Sequence, residues 1–210
     1  MLVKTSTVHK TTWNELETAV EKGYIKDLLH NEDQISVDLK NGKTLVFDVT
    51  FDENGKLFFA LNNCLDDEHS MNNRPTNAGA WKACDMRKYL NEVVFFLLPD
   101  ELQSVIKPTQ ITQIVNGERV ETEDKLFLFS KTQVFGKGSW SKNEPEDVPL
   151  DIFRTERSRV KECGGHGTWW WWLRSPEASS SSAFAAVSNN GNSNYYYASF
   201  TYGVAFGFCI

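Results

Sequence analysis

The spacing of apolar residues near the start of the chain predicts a helix followed by three strands. Thr12 and Glu15 form a T-x-x-E capping box, which marks a helix start, and Gly23 favours a helix end. Apolar residues then alternate with polar ones near residues 35–39 and 45–49, and Asn-Gly pairs predict hairpin turns between the strands. Residues 1–62 are therefore predicted to form a small α/β unit, a helix plus a three-stranded meander.

Shorter elements are predicted in the middle of the chain. Pro99 is expected at the first position of a helix, and Asn116-Gly117 predicts a second hairpin. The predicted elements are helices over residues 85–91 and 99–106, hairpin strands at 111–115 and 119–120, a buried strand at 126–129 and a loop at 136–150. Four basic residues then indicate a solvent-exposed helix face: Arg154, Arg157, Arg159 and Lys161.

Two apolar patterns mark the end of the chain. Tryptophans occupy residues 169–172. Because successive side chains of a strand face opposite sides, four in a row need apolar cover on both faces or leave one face exposed. Further on, Val204, Phe206, Phe208 and Ile210 alternate with smaller residues, which predicts a half-buried terminal strand. Such a strand docks into a sheet, so the segment before it must return to the fold.

Composition excludes several classes of protein. The chain has 210 residues and a net charge of −6, without the basic excess that binds nucleic acid or anionic membrane surfaces. No apolar run approaches the roughly 20 residues that span a bilayer, and residues 1–13 lack the apolar stretch of a secretory leader. We therefore expect no nucleic-acid partner, no membrane span, and a place in a virion or the cytoplasm rather than secretion.

The four cysteines are widely spaced along the chain, at Cys64, Cys84, Cys163 and Cys209. Structural zinc sites usually bring their ligands in close C-x-x-C pairs, so this spacing argues against zinc. A chain without a leader is expected to keep its thiols reduced. The prediction is therefore four buried, free cysteines, with no metal and no cofactor.

Charged residues are unevenly distributed. Every Asp, Glu, Lys, Arg and His lies at or before Glu177, and the 33 residues from Ala178 onward carry none. This C-terminal tract is rich in Ser, Asn and Tyr, which antibody loops favour because Tyr supplies contact area with few rotors and Ser and Asn supply adaptable hydrogen bonds. A disordered tail and an aggregation-prone Asn/Tyr segment are alternatives. The terminal strand and the glycines in the tract argue against both.

Several motifs resemble one known family. They are Trp81-x5-Arg87-Lys88-Tyr89-Leu90-Asn91, Leu98-Pro99-x2-Leu102, Thr122-x-Asp124 continued to Ser130, Gly167-Thr168-Trp169 continued to Leu173-Arg174-Ser175-Pro176, and Gly203-Val204-x-Phe206-Gly207-Phe208-Cys209-Ile210. Residues 63–210 resemble a domain of unknown function in gut bacterial and phage proteins, and are similar to the variable proteins of diversity-generating retroelements. The resemblance implies an α+β, C-type-lectin-like domain over 63–210 with a hypervariable ligand-binding region at about 169–210.

In that family a reverse transcriptase copies a template with errors at adenines. Asn codons are therefore replaced by codons for a restricted set of amino acids. All 33 residues from Ala178 to Ile210 fall in that set. The resemblance implies non-catalytic recognition of a protein or glycan on a cell surface. Apart from the resemblance, residues 1–62 are candidates for attaching the chain to a phage or surface assembly. The candidate ligand-binding positions are Ser179, Ser180, Ser181, Ser182, Phe184, Ala186, Ser188, Asn190, Asn192, Asn194, Tyr195, Tyr196, Tyr197, Ser199, Phe200, Tyr202 and Ala205.

Other positions of this region are expected to form a scaffold. They are residues 169–174, Val187, Gly191, Gly203, Val204, Phe206, Phe208 and Ile210. Loop side chains contribute little to a core, so a rigid scaffold can present many of them without losing its fold. Arg174 is expected to pair with a buried carboxylate or with carbonyls, because a buried arginine needs such partners.

Two other functions have candidate motifs. Cys163 and His166 flank a Gly-Gly spacer and suggest an enzyme with a thiol nucleophile, but a flexible loop is the simpler interpretation and no catalytic residue is expected. Residues 143–147 are acidic, as calcium prefers, but depart from the Glu-Pro-Asn pattern of calcium-dependent lectins. The alternative to a diversified receptor is a fixed-specificity carbohydrate-binding module or a phage or cell-surface structural domain.

Overall fold

The N-terminal capping box starts a helix in the computed structural model, which describes residues 11–210. The Glu15 N–H donates to the Thr12 hydroxyl at 3.3 Å, and the Thr12 N–H donates to the Glu15 carboxylate at 2.7 Å. Gly23 has a φ of +77°, the left-handed conformation that commonly ends helices. The predicted helix and both of its ends are confirmed. The prediction about a leader rests on residues 1–13, most of which, residues 1–10, lie outside the described part.

The helices are short and most of them connect strands. The α-helices are α1 (Trp13–Glu21), α2 (Ala80–Ala83), α3 (Asp85–Tyr89), α4 (Phe95–Leu97), α5 (Asp100–Val105), α6 (Lys131–Phe135) and α7 (Glu156–Arg159). Single 3-10 turns lie at Ile25–Asp27, Ser139–Asn143 and Asp151–Phe153. A π-helical turn, Leu90–Val94, joins α3 to α4 and carries the predicted helix past residue 91. Pro99 caps α5 instead of occupying its first helical position as predicted.

Antiparallel strands form most of the architecture. They are β1 (Gln34–Asp38), β2 (Thr44–Phe51), β3 (Leu57–Leu61), β4 (His69–Ser70), β5 (Thr109–Val115), β6 (Glu118–Asp124), β7 (Phe127–Leu128), β8 (Lys161–Glu162), β9 (Thr168–Trp169), β10 (Trp171–Pro176), β11 (Ala183–Val187), β12 (Ser193–Tyr197), β13 (Thr201–Tyr202) and β14 (Phe206–Phe208). Every ladder between two of these strands is antiparallel. The fold is therefore α+β, as predicted, and the meander and the Asn116-Gly117 hairpin are confirmed.

The last strand of the chain lies inside the largest sheet. The order of that sheet is β1-β2-β3-β14-β7, so β14 pairs with a neighbour on each side. Both faces of β14 are covered, and a Cβ on Gly207 would approach the Phe129 ring to 2.4 Å. The prediction of a half-buried terminal strand is wrong, because the small residues of the alternating pattern pack as closely as the large ones.

This sheet also crosses the domain boundary predicted at residue 62. β1, β2 and β3 precede that residue, whereas β7 and β14 follow it. The Phe59 and Phe208 rings stack with centroids 4.9 Å apart, and Trp13 packs edge-on against Phe59 at 5.5 Å. The predicted helix and meander are present, but they share one sheet and one core with the rest of the described chain.

The predicted basic helix face is only partly exposed. Arg154 and Arg157 are exposed, whereas the Arg159 guanidinium donates to the carbonyl of Gly191 at 2.8 Å. Lys161 is 3% exposed, and its ammonium donates to two backbone carbonyls at the end of β3, 2.6 and 2.7 Å away. The prediction is wrong for Lys161 because α7 ends before it and β8 carries it into the core.

Two of the cysteines form a disulfide, so the prediction of four free thiols is wrong. Cys64 and Cys163 lie 99 residues apart in sequence, yet their Cα atoms are 4.6 Å apart. The Cys64 N–H donates to the carbonyl of Glu162 at 2.9 Å, which holds the segment after β3 against β8. Cys84 and Cys209 are free and buried. The pairing could not be predicted from the spacing of the cysteines, because packing of distant strands brings the two segments together.

Candidate functional site

The tryptophan run anchors the C-terminal tract to the core. Trp171 and Trp172 are fully buried, and their indole N–H groups donate to the carbonyls of Arg159 and His69, each at 2.9 Å. Trp169 and Trp170 are only partly buried. The run therefore has apolar cover for two of its members and leaves the other two at the surface.

A buried polar network fixes the strand that follows. The Arg174 guanidinium donates to the Leu128 carbonyl at 2.6 Å, to the Gln133 side chain at 2.8 Å and to the Asp147 carboxylate at 2.5 Å. This confirms that Arg174 pairs with carbonyls, and its carboxylate partner Asp147 is partly buried. Both Nη groups of the guanidinium have partners within hydrogen-bond distance, while the buried Nε has none among the described residues, and these bonds hold β10 in one position.

The acidic segment of residues 143–147 belongs to the same network. The Glu144 carboxylate accepts from the Ser175 hydroxyl and from the Thr132 hydroxyl, the latter at 2.9 Å. Burial, and then the nearby Asp147, raise the pKa of Glu144, while Arg174 opposes that rise. Because these carboxylates already bind protein groups, the calcium-site interpretation loses its candidate ligands. Within residues 11–210 no three His, Cys, Asp or Glu side chains are grouped as metal ligands.

The enzyme interpretation loses its nucleophile. The Cys163 sulfur is bonded to Cys64 and is not a thiol. His166 stacks on the Trp169 ring with centroids 4.9 Å apart, and its Nε2 lies 3.5 Å from the Glu68 carboxylate. Cys163 and His166 therefore do not form a catalytic pair in this structure.

Most of the candidate ligand-binding positions lie at the surface. Those that are exposed are Ser179, Ser181, Asn190, Asn192, Asn194, Tyr197 and Phe200. Those that are half-buried are Ser180, Ser182, Tyr195, Tyr196 and Ser199. Together they occupy the loop before β11, the turn after it, β12, and the segment that leads to β13. The tract is ordered, and the prediction that it returns to the fold is confirmed.

Five of the candidate positions are buried, which corrects their assignment to a surface. They are Phe184, Ala186, Ser188, Tyr202 and Ala205. β11 lies between β10 and β12, and all of its residues are covered. Composition could not distinguish these residues from their exposed neighbours, because both sets are small or aromatic and uncharged.

Aromatic rings form a continuous cluster beside β12, which we call the aromatic platform. It consists of Trp170, Tyr196, Tyr197, Phe200 and Tyr202. The Trp170 ring stacks on Tyr202 at 5.7 Å and meets Tyr196 edge-on at 5.2 Å. Phe200 packs against Tyr196 at 5.5 Å and Tyr197 at 5.8 Å. Tyr197 and Phe200 remain 55% and 45% exposed, so the platform has a buried base and an exposed rim.

A small pocket lies on the other side of Tyr195. The Lys131 ammonium donates to the Tyr195 hydroxyl and lies 4.1 Å from the Trp140 ring centroid and 4.5 Å from that of Tyr195. Burial lowers the pKa of Lys131, whereas Glu177 and Glu144 oppose that shift. Burial, and then Glu177, raise the pKa of Tyr195. The pocket encloses about 170 Å³, and the sequence pattern gave no sign of Lys131 or Trp140 as part of the site.

A larger groove lies beside the serine-rich loop. It has a volume of about 700 Å³, and its walls are the loops at residues 75–80 and 114–117 together with Ser179, Ser180 and Ser181. The Asn77 side chain donates to three backbone carbonyls of residues 177–183 at 2.7–3.3 Å. A residue about 100 positions earlier therefore holds this loop in place, which composition alone could not reveal.

The fold and site together describe an α+β domain of antiparallel sheets that carries an uncharged surface of Ser, Asn and aromatic residues. The chain belongs to the family described as a domain of unknown function, DUF6273, which matches residues 41–210. No curated protein and no solved structure matches the chain. Among residues 11–210, no helix has the length and apolar character needed to cross a membrane.

Proposed function

We propose that the chain is a non-catalytic recognition protein that displays a variable C-terminal surface to a protein or glycan on a cell surface. The observation that carries the proposal is the separation of scaffold from display within one tract. β10, β11 and β14 are buried almost throughout, whereas twelve of the candidate positions around them are exposed or half-buried. The C-type-lectin-like fold over residues 63–210 is part of this proposal.

The physical basis is that the displayed side chains contribute little to folding. Substitutions at exposed positions usually change stability by less than about 0.5 kcal/mol, whereas changes in a packed core cost several times more. Exposed Tyr, Ser and Asn also suit recognition, because they combine contact area with adaptable hydrogen bonds. The surface around β12 can therefore change in sequence while β10, β11 and β14 keep the fold.

Attachment through residues 1–62 is a further part of the proposal. Tyr24 and Leu28 lie at the 3-10 turn after α1 and are 39% and 42% exposed. Two exposed apolar side chains so close together offer a contact for a phage or cell-surface assembly.

Sequencing the locus across isolates of the source population tests the diversification. We expect substitutions at the seven exposed positions and few at the five buried ones, with Phe184 and Ala186 as the sharpest comparison within one tract. Adenine-specific changes relative to a nearby template repeat would identify the mechanism. A tract as invariant as β10 and β14 would contradict the proposal.

Binding of the labelled protein to a panel of intact bacterial cells, followed by flow cytometry, tests the recognition surface. We expect Tyr197→Ala and Phe200→Ala each to weaken binding by about 1–4 kcal/mol, as exposed aromatic hot spots do. Phe96→Ala removes an exposed aromatic side chain outside the tract and serves as the matched control. Equal loss in all three variants, or no loss in any, would show that the platform is not the binding surface.

A fixed-specificity carbohydrate-binding module is the second candidate, and the groove favours it. Asn77, Lys142 and Asn143 line the groove and lie outside the uncharged tract, so diversification of that tract would leave them unchanged. Amide, ammonium and hydroxyl groups suit the hydroxyls of a saccharide. A glycan array would show one preferred saccharide, and Asn143→Ala would weaken its binding while Phe200→Ala would not.

A further inference from the structure

β12 is an edge strand, and its outer side faces away from the sheet. The order of its sheet is β10-β11-β12, and within residues 11–210 β11 is its sole strand neighbour. The Ser188 N–H donates to the Asn192 carbonyl at 2.8 Å, and the Ala198 N–H donates to the Ser182 carbonyl at 2.8 Å. Hydrogen-bonded pairs alternate in an antiparallel ladder. These two bonds therefore show which backbone N–H and C=O groups of β12 point towards β11 and which point away from it.

The backbone groups of Ser193, Tyr195 and Tyr197 therefore point outward. Asn194 and Tyr196 alternate in step with the bonded residues Asn192 and Ala198. Their backbone groups therefore face β11, where they pair with Ala186 and Phe184. Two of the outward groups have local partners: the Tyr195 N–H donates to the Asn194 side chain at 2.8 Å, and the Tyr197 carbonyl accepts from Phe200 at 3.0 Å. The Ser193 and Tyr197 N–H groups and the Ser193 and Tyr195 carbonyls face the outer side.

β12 lacks the features that commonly protect a sheet edge. Exposed edges usually carry lysine, proline or a β-bulge, because an open edge pairs with any available strand. The five residues of β12 are Ser, Asn and three Tyr, and their ladder to β11 is regular. The opposite edge of the same sheet differs, since β10 is buried, has an irregular register after Trp172 and ends at Pro176.

The exposed strand β6 shows how charge protects an edge. β6 carries Glu118, Arg119, Glu121 and Glu123 along its length. β12 has no ionisable side chain except the tyrosine hydroxyls, and no Asp, Glu, Lys, Arg or His lies anywhere in residues 178–210. A second copy of this strand therefore meets no like charge when it approaches.

We propose that β12 is a self-association edge, through which two copies of the chain pair antiparallel about a two-fold axis. An antiparallel edge is complementary to itself in this arrangement, because each copy offers the same donors and acceptors to the other. The Asn194 side chain turns away from the Tyr195 N–H as the strands pair. Backbone pairing leaves the side chains on both faces of β12 displayed, so a dimer joins two tracts into one wider surface. The inference does not depend on the proposed ligand recognition.

Sedimentation equilibrium over a wide concentration range, with two charge-matched double variants, tests the inference. Ser193→Lys with Tyr197→Lys places like charges along the edge and is expected to raise the dimer dissociation constant about tenfold or more. Ser179→Lys with Ser181→Lys adds the same charge at exposed positions away from the edge and should leave the constant near that of the unaltered protein. Thermal melting checks that both variants fold.

Amide hydrogen exchange on the unaltered protein supplies a readout that needs no variant. We expect the Ser193 and Tyr197 amides to exchange more slowly as the protein concentration rises. A monomer at every concentration would overturn the inference and leave the edge to an extended segment of another protein. A dimer that both double variants weaken equally, or one without slower exchange at Ser193 and Tyr197, would overturn it as well.

Discussion

Lys161 shows how far the environment of a single residue departs from its sequence context. It follows Arg157 and Arg159, yet it is buried with its ammonium against two backbone carbonyls and its Nζ 5.3 Å from the Trp171 ring centroid. Burial lowers the pKa of Lys161 to about 8, against a weaker opposing effect of Asp48. A buried lysine of this kind makes folding depend on pH.

We expect the free energy of unfolding to rise with pH between about pH 8 and the ordinary lysine pKa of 10.5. In this window the unfolded chain holds the Lys161 proton while the folded chain has released it, so raising the pH favours the folded state. Denaturant unfolding of the unaltered protein and of Lys161→Met, each measured across the window, isolates the effect. The same change in the free energy of unfolding with pH in both proteins would contradict the role of Lys161.

Neighbouring strands with similar composition lie in different environments. β11 and β12 both consist of uncharged residues, but β11 is central and fully covered while β12 forms the edge. β11 has a strand on each side and is covered on both faces, whereas β12 leaves the backbone groups of one side unpaired and its side chains partly exposed. The aromatic residues differ in the same way: Trp171 and Trp172 of β10 are buried, whereas the rim of the aromatic platform is exposed.

We expect Trp171→Ala to lower the free energy of unfolding by about 3–5 kcal/mol, because it empties a fully buried site. The indole N–H bond to the Arg159 carbonyl is lost as well. Tyr197→Ala in β12 is the comparison, and a side chain that is 55% exposed should cost far less. Urea unfolding of both variants measures the contrast, and equal losses would show that β10 is not the scaffold.

At the scale of the whole molecule, the disulfide joins distant parts of the chain near the candidate surface. A Cβ on Gly203 would lie 2.4 Å from both sulfur atoms, and the Gly203 N–H donates to the Trp170 carbonyl at 2.9 Å. The Cys64–Cys163 bond thus lies directly beneath the backbone that carries the aromatic platform. Such bonds persist in oxidising surroundings, so we expect the chain to act outside a reducing cytosol.

We expect two of the four cysteines to resist alkylation in denaturant until a reductant is added. Reduction should lower the free energy of unfolding by about 3–5 kcal/mol, because the bond closes a loop across a sequence separation of 99 residues. Mass spectrometry of the alkylated protein and denaturant unfolding with and without reductant measure both effects. Cys84→Ala is the control that leaves the bond intact, and four reactive thiols would contradict the pairing.

The local elements and the uncharged character of the C-terminal tract can be read from the order of the amino acids alone. The capping box, the Asn-Gly turns and the alternating apolar residues act over a few neighbouring positions, so α1, the meander and the β5–β6 hairpin followed from them. The buried partners of Arg174 were also foreseen, since a buried guanidinium requires acceptors. The absence of charge after Glu177 indicated an unusual surface, although it could not rank its residues.

Features that depend on how strands pack together become visible in the folded chain. Tertiary packing placed β14 between β3 and β7, joined Cys64 to Cys163, buried Lys161 and made β11 central and β12 an edge. The first three outcomes join segments about 80 to 150 residues apart, and no local pattern encodes that choice. Burial is therefore what divided the candidate positions, because residues of one chemical type became core or surface according to their place in the sheet.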